Sequence, residues 1–186
     1  MIFVGIDPGH KGAIVKLDEN LKILGYRLIQ TCKNPKEFFD FISDADYVIL
    51  EKSGPRRGEG VKSVFNYGFG YGYIMSAVDY ANYVKKLAIG KTFVVSNPIP
   101  NVWHRYFRHA LPTALRKKSA SYYWAKHIWP QETFIVERCR KPHMGIVDAA
   151  MIAAYGMYAV AGLSPATLYF RAKSTNPIIN ICPKKD

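Results

Sequence analysis

The first fifteen residues constrain this chain more than any other stretch. Ile2 to Ile6 is an apolar run rich in β-branched and aromatic residues, Pro8-Gly9 forces a turn, and Gly12 lets the chain return closely into a second apolar run, Ala13-Ile14-Val15. A strand, a tight turn and a second strand follow from that pattern. Asp7 stands where the first strand ends, inside the turn. A carboxylate there either forms the turn or faces a metal ion or phosphate, and the turn alone leaves both roles open.

Two further acids share this kind of placement. Asp46-Tyr-Val-Ile-Leu-Glu51 is a short apolar strand that ends in Glu51 and runs into the polar, glycine-rich and basic stretch from Lys52 to Lys62. Gly145 to Val160 reads as a nearly continuous apolar helix whose only charge is Asp148, near its start. An ionised group among apolar residues needs a partner, whereas a first-turn aspartate is stabilised by the helix dipole; for Asp148 taken singly both readings stand. Together, strand-end Asp7, strand-end Glu51 and helix-start Asp148 suggest a carboxylate cluster for divalent cations. Magnesium and manganese prefer such oxygen ligands and often bind substrate phosphates at the same time.

The apolar periodicity predicts strands near 2–6, 12–17, 22–30, 46–51 and 91–96, and helices near 35–43, 63–84, 101–109, 117–128 and 146–161. An opening meander followed by strands alternating with helices is an α/β order. It predicts a mixed five-stranded sheet with helices on both faces. A length of 186 residues, 49% of them hydrophobic, fits one domain over 1–163. The polar, proline-containing residues 164–186 read as an appended tail. Helix 63–84 carries Gly68, Gly70 and Gly72, each costing about 1 kcal/mol in a helix interior, so a close neighbour is expected there.

In this order along the chain, the motifs resemble the RuvC-like Holliday junction resolvases of the RNase H-like superfamily, especially their divergent phage versions. The likeness rests on Ile6-Asp7-Pro8-Gly9, the strand ending in Glu51, and Asp148-Ala-Ala-Met-Ile-Ala. Between them, Ser63-x4-Gly68-x3-Gly72 resembles the small-residue helix after the glutamate, and Pro100-x2-Trp103 and Lys117-Lys118-Ser119 resemble the later Pro-x-x-Trp and Lys-x-x-Ser features. The resemblance implies an RNase H-like fold and an endonuclease that cuts four-way and other branched DNA junctions. It further implies two Mg2+ or Mn2+ ions per site and a homodimer formed with helix 63–84. The family's metal acids fall on Asp7, Glu51 and Asp148. Its fourth acid, three or four residues before the last aspartate, would fall on Gly145 or Met144 and has no counterpart. His143, one residue further upstream, is the candidate metal ligand or general base in its place, against the alternative of a solvated loop histidine. The family's wedge aromatic is also absent, since Lys52, Ser53 and Gly54 follow Glu51.

Charge points the same way. There are 26 Lys+Arg against 14 Asp+Glu, a net charge of +12, which favours a polyanionic partner. The basic residues gather in 52–62, 105–118 and 138–141, each beside one of the motifs, as a track for backbone phosphates would. Candidate DNA contacts are Lys11, Lys52, Arg56, Arg57, Lys62, Ser63, Lys117, Lys118 and Ser119. Tyr67, Tyr71, Trp103, Tyr122, Tyr123 and Trp124 offer rings for base stacking or for the core. Cys32, Cys139 and Cys182 are odd in number and widely spaced, which argues against a disulfide framework or a zinc site. With no basic leader and no membrane-length apolar segment, a cytoplasmic protein is expected.

Two other readings remain. A catalytically inactive, structure-specific DNA-binding protein fits the missing acid. An actin-like ATPase or sugar kinase also opens with strand-Asp-x-Gly, but it needs a second glycine-rich phosphate loop that this sequence lacks, and it fits the basic charge poorly.

Overall fold

The computed structural model describes residues 1–31, 35–52, 54, 58–108 and 120–162. Arg56, Arg57, Lys117, Lys118, Ser119 and the expected tail 164–186 lie outside the described residues. Five strands form one mixed sheet: β1 (Ile2–Ile6), β2 (Ala13–Asp18), β3 (Ile23–Leu28), β4 (Tyr47–Leu50) and β5 (Val94–Ser96). Their spatial order is β3-β2-β1-β4-β5. β1, β2 and β3 are an antiparallel meander, while β4 is parallel to β1 and β5 is parallel to β4. Parallel neighbours need crossovers. These are supplied by α1 (Pro35–Ile42) between β3 and β4 and by α2 (Val61–Ile89) between β4 and β5. The chain then adds α3 (Pro100–Arg108), α4 (Ala120–Ile128) and α5 (Met144–Tyr155), the last running into a short π-helical turn, Gly156–Val160.

Strand alternation sorts the sheet's side chains into two cores. Val4, Ile6, Ile14, Val48 and Leu50 face Phe38 and Ile42 of α1 and Ile74, Val78 and Ala81 of α2. Phe3, Val15, Leu17 and Ile49 face the opposite side, against Trp103 and Phe107 of α3, Ala125 of α4 and most of α5. Full burial of each large apolar side chain contributes about 1.5–3 kcal/mol. The sheet is therefore covered on both faces, as the sequence pattern predicts.

α5 lies unusually close to the sheet because glycines and alanines meet there. A Cβ on Gly5 of β1 would stand 2.1 Å from the Ala149 carbonyl oxygen and 2.4 Å from the Ala153 nitrogen. No larger residue fits at that position. The glycines of α2 behave differently. A Cβ on Gly68, Gly70 or Gly72 would meet nothing within 4 Å, so the close neighbour expected there is not supplied by the sheet of the same chain. α2 is also longer than its periodicity suggested, because the exposed residues at both of its ends continue the helix without contributing to the core.

Candidate active site

Three elements deliver acids to one end of the sheet. In the parallel register of β1 and β4, Gly5 pairs with Ile49 and Ile6 with Leu50. The ladder continues one residue further, because the Glu51 N–H donates to the Ile6 carbonyl at 3.0 Å. Alternation then puts Asp7 and Glu51 on the same face as Phe3, Gly5 and Ile49, the face covered by α5. They project beyond the carboxyl ends of β1 and β4. There the chain leaves β1 toward β2 and leaves β4 toward β5, so the direction of the connections reverses between these two strands, the position at which open α/β sheets commonly bind ligands.

The Asp7 turn is built from backbone contacts. The Gly9 N–H donates to Asp7 Oδ1 at 3.0 Å, the Gly12 N–H donates to the Gly9 carbonyl at 2.7 Å and the Asp7 N–H to the Ala13 carbonyl at 3.0 Å. Gly12 also forms an isolated parallel bridge with Gly145, at the start of α5. A Cβ on Gly145 would stand 2.1 Å from the Lys11 carbonyl oxygen and 2.8 Å from Gly12 Cα. This contact pins the N-terminus of α5 to the Asp7 turn, and Asp148 follows within the next helical turn. No acidic residue lies in the first turn of α5, so the reading of Asp148 as a dipole-stabilised first-turn aspartate does not hold.

The electrostatics reflect this convergence. The Asp148 carboxyl is pushed up to about 7, chiefly by burial and further by the negative charges of Asp7 and Glu51, against a hydrogen bond with Ser121 that opposes the rise. Its Oδ1 is buried without a hydrogen-bonding partner. Burial also raises the Asp7 carboxyl, against the Gly9 N–H. Glu51 Oε2 accepts from the Trp103 indole Nε1–H at 2.7 Å. Among the described residues, no three His, Cys, Asp or Glu side chains stand close enough to hold one ion in common. The charges of Asp7 and Glu51 both oppose ionisation of Asp148, and each of the three carboxyls meets a protein donor: the Gly9 N–H, the Trp103 indole and Ser121. The donor set is nonetheless all oxygen, with one desolvated carboxylate oxygen unsatisfied, and this chemistry fits a hard divalent cation.

Solved structures that share this architecture include two of RuvC. The structure of Thermus thermophilus RuvC aligns at a TM-score of 0.54 and 18% identity, covering 87% of this chain and 97% of that one. The chain has a RuvC-like fold. T. thermophilus RuvC in complex with a Holliday junction substrate aligns at a TM-score of 0.52 and 17% identity, covering 87% of this chain and 96% of the other. No protein-family model matches the sequence, and neither does any curated protein.

Within this RuvC-like fold the remaining expected residues are placed as follows. His143 is the N-cap of α5. Its N–H donates to the Phe134 carbonyl at 2.7 Å, and its own carbonyl accepts from Ile146 and Val147. Its ring Nδ1 is buried without a hydrogen-bonding partner. Lys11 is exposed on the Asp7 turn; Lys52, Lys62 and Ser63 are exposed between Glu51 and the first turn of α2. Trp103 is only 2% exposed, so it packs in the core rather than offering a face to a base. Tyr67, Tyr71, Tyr122, Tyr123 and Trp124 are half-buried. Ser121, 7% exposed, was not among the expected site residues. Its signal was present: Ser121 stands three positions after Lys118, a Lys-x-x-Ser spacing that Lys117-Lys118-Ser119 only approximates.

Proposed function

We propose that this chain is a divalent-metal-dependent endonuclease that resolves four-way and other branched DNA junctions by phosphodiester hydrolysis. The observation that carries this reading is the delivery of Asp7, Glu51 and Asp148 to one face at the strand ends of a RuvC-like fold. The junction complex of T. thermophilus RuvC supports branched DNA as the substrate class. Asp7, Glu51 and Asp148 would hold the cations. Bound there, Mg2+ or Mn2+ would lower the pKa of a nucleophilic water and offset charge on the scissile phosphate.

The chain's own residues supply the rest. Burial around Asp7 and Asp148 lowers the local dielectric and strengthens every charge interaction at the phosphate. His143, the N-cap of α5 five residues before Asp148, would orient the water or add a ligand. Lys11, Lys52, Lys62 and Ser63 would bind backbone phosphates, as would Arg56, Arg57, Lys117, Lys118 and Ser119 of the basic stretches in the sequence.

The working unit would be a two-fold homodimer. α2 faces the sheet through Ile74, Val78 and Ala81, yet its opposite side exposes Phe65 (70%), Phe69 (72%), Tyr80 and Leu87. A helix that is apolar on both sides has a second face to cover. A second copy would cover it and would set one site against each of two opposed strands.

Two observations favour the second reading, an inactive junction-binding protein: no three ligating side chains are drawn together among the described residues, and position 145 has no room for a further acid. The deciding experiment is cleavage of a labelled four-way junction beside a matched linear duplex, in Mg2+, Mn2+ or EDTA. Metal-dependent paired nicks on the junction, reduced at least about a hundredfold by Asp7→Asn while binding persists, are expected for the nuclease. Tight junction binding without cleavage in any metal would leave the binder.

A further inference from the structure

The side chain holding Glu51 is unusually well fixed. Trp103 lies 52 residues further along the chain and reaches across from α3 to donate its indole N–H to Glu51 Oε2 at 2.7 Å. α3 turns Trp103 and Phe107, one helical turn apart, into the core while Arg105 and Arg108 face out. The indole is only 2% exposed. The ring of His104 stacks on it, with centroids 3.8 Å apart and planes inclined by 26°. Burial, with the charge of Arg108, pushes the His104 imidazole down, so the stacked ring adds no cation beside the carboxylates at neutral pH. A glutamate at the end of a strand has three side-chain torsions to settle, whereas a packed indole has almost none left.

We propose that Trp103 is a positioning residue for Glu51, restricting its carboxylate to the strand end beside Asp7 so that less torsional freedom is lost when it holds a divalent cation with Asp7 and Asp148. This rests on the metal-dependent reading of the site. Partners that orient ligating groups are worth about 10- to 100-fold in metal affinity, and Trp103 is such a partner held by α3 rather than by a loop. The simpler account is that Glu51 merely satisfies a buried indole donor. The two differ in consequence: if only the indole needed an acceptor, removing its N–H would leave the metal affinity unchanged.

The test is Mn2+ binding to the full chain, followed by electron paramagnetic resonance of the free ion, for the natural protein, Asp7→Asn and Trp103→Phe. Trp103→Phe keeps an aromatic ring and removes the donor. The expected result is a Kd for Mn2+ raised about 10- to 100-fold by Trp103→Phe, with junction binding in EDTA unchanged. An equal Kd overturns the positioning role and leaves the metal site standing. If the natural protein shows no Mn2+ binding that Asp7→Asn removes, the metal-dependent reading falls and this inference with it. Should Trp103→Phe fail to fold, the natural protein decides by two-dimensional NMR. The indole N–H resonance that moves in Glu51→Gln must also move on Mg2+ titration, and a stationary resonance overturns the proposal.

Discussion

Asp148 is the residue whose surroundings depart furthest from those of an exposed carboxylate. Its ordinary value of 3.8 rises to about 7 in the folded chain, with burial as the largest cause. The folded state therefore holds a proton that the unfolded state has released between those limits. The stabilising contribution is fully present below about pH 4 and is lost as pH rises through 7. In EDTA, thermal melts of the natural protein should fall across this window, and Asp148→Asn should flatten that part of the profile; a parallel fall in both would refute the assignment. Gly145 makes the complementary point. A fourth acid cannot be restored at position 145, because a Cβ there would meet the Lys11 carbonyl at 2.1 Å. Gly145→Asp is expected to destabilise by about 3 kcal/mol, lowering the melting temperature by about 6 to 12 °C, and to depress cleavage rather than enhance it. A more active, equally stable variant would show that the Gly12–Gly145 contact is not obligatory.

At the scale of elements, α5 and α2 divide the work. α5 is nearly all apolar and small on its packed side, so it can lie against Gly5 and carry Asp148 to the strand ends. α2, of 29 residues and so about 43 Å long, packs only its Ile74, Val78 and Ala81 stripe on the sheet. Its outer face is open at Gly68 and Gly72 and apolar at Phe65 and Phe69. Because these side chains make little contact within one chain, Phe65→Glu with Phe69→Glu should change thermal stability of the single chain by no more than about 0.5 kcal/mol per site. The same pair should convert a dimer to a monomer in sedimentation. A natural protein already monomeric at micromolar concentration would remove the two-fold arrangement.

For the molecule as a whole, charge is the dominant property. A net charge of +12 on a small α/β domain predicts that junction binding is driven largely by release of counterions from the DNA. If six or so phosphates are neutralised, affinity should fall by about a thousandfold between about 50 and 200 mM salt. Fluorescence anisotropy with a labelled junction measures this slope, and a shallow one would remove the phosphate track. Among the described residues no helix is long and apolar enough to cross a membrane.

The strand and helix order was legible from the chain because each element obeys its own period: alternating or β-branched runs for β1 to β4 and amphipathic spacing for α1 and α3. The same logic singled out Asp7 and Glu51, since an acid closing an apolar strand is visible in sequence, and Asp148, since it is the lone charge in an apolar helix. What joins distant positions was not legible. The Trp103–Glu51 hydrogen bond, the Ser121–Asp148 pair and the Gly12–Gly145 contact link residues dozens to more than a hundred positions apart, and local periodicity carries no term for such distances. Only the parallel register of β1 with β4 puts Asp7 and Glu51 on one face. Only the close approach that Gly5 permits to α5 brings Asp148 near enough for their charges to raise its carboxyl.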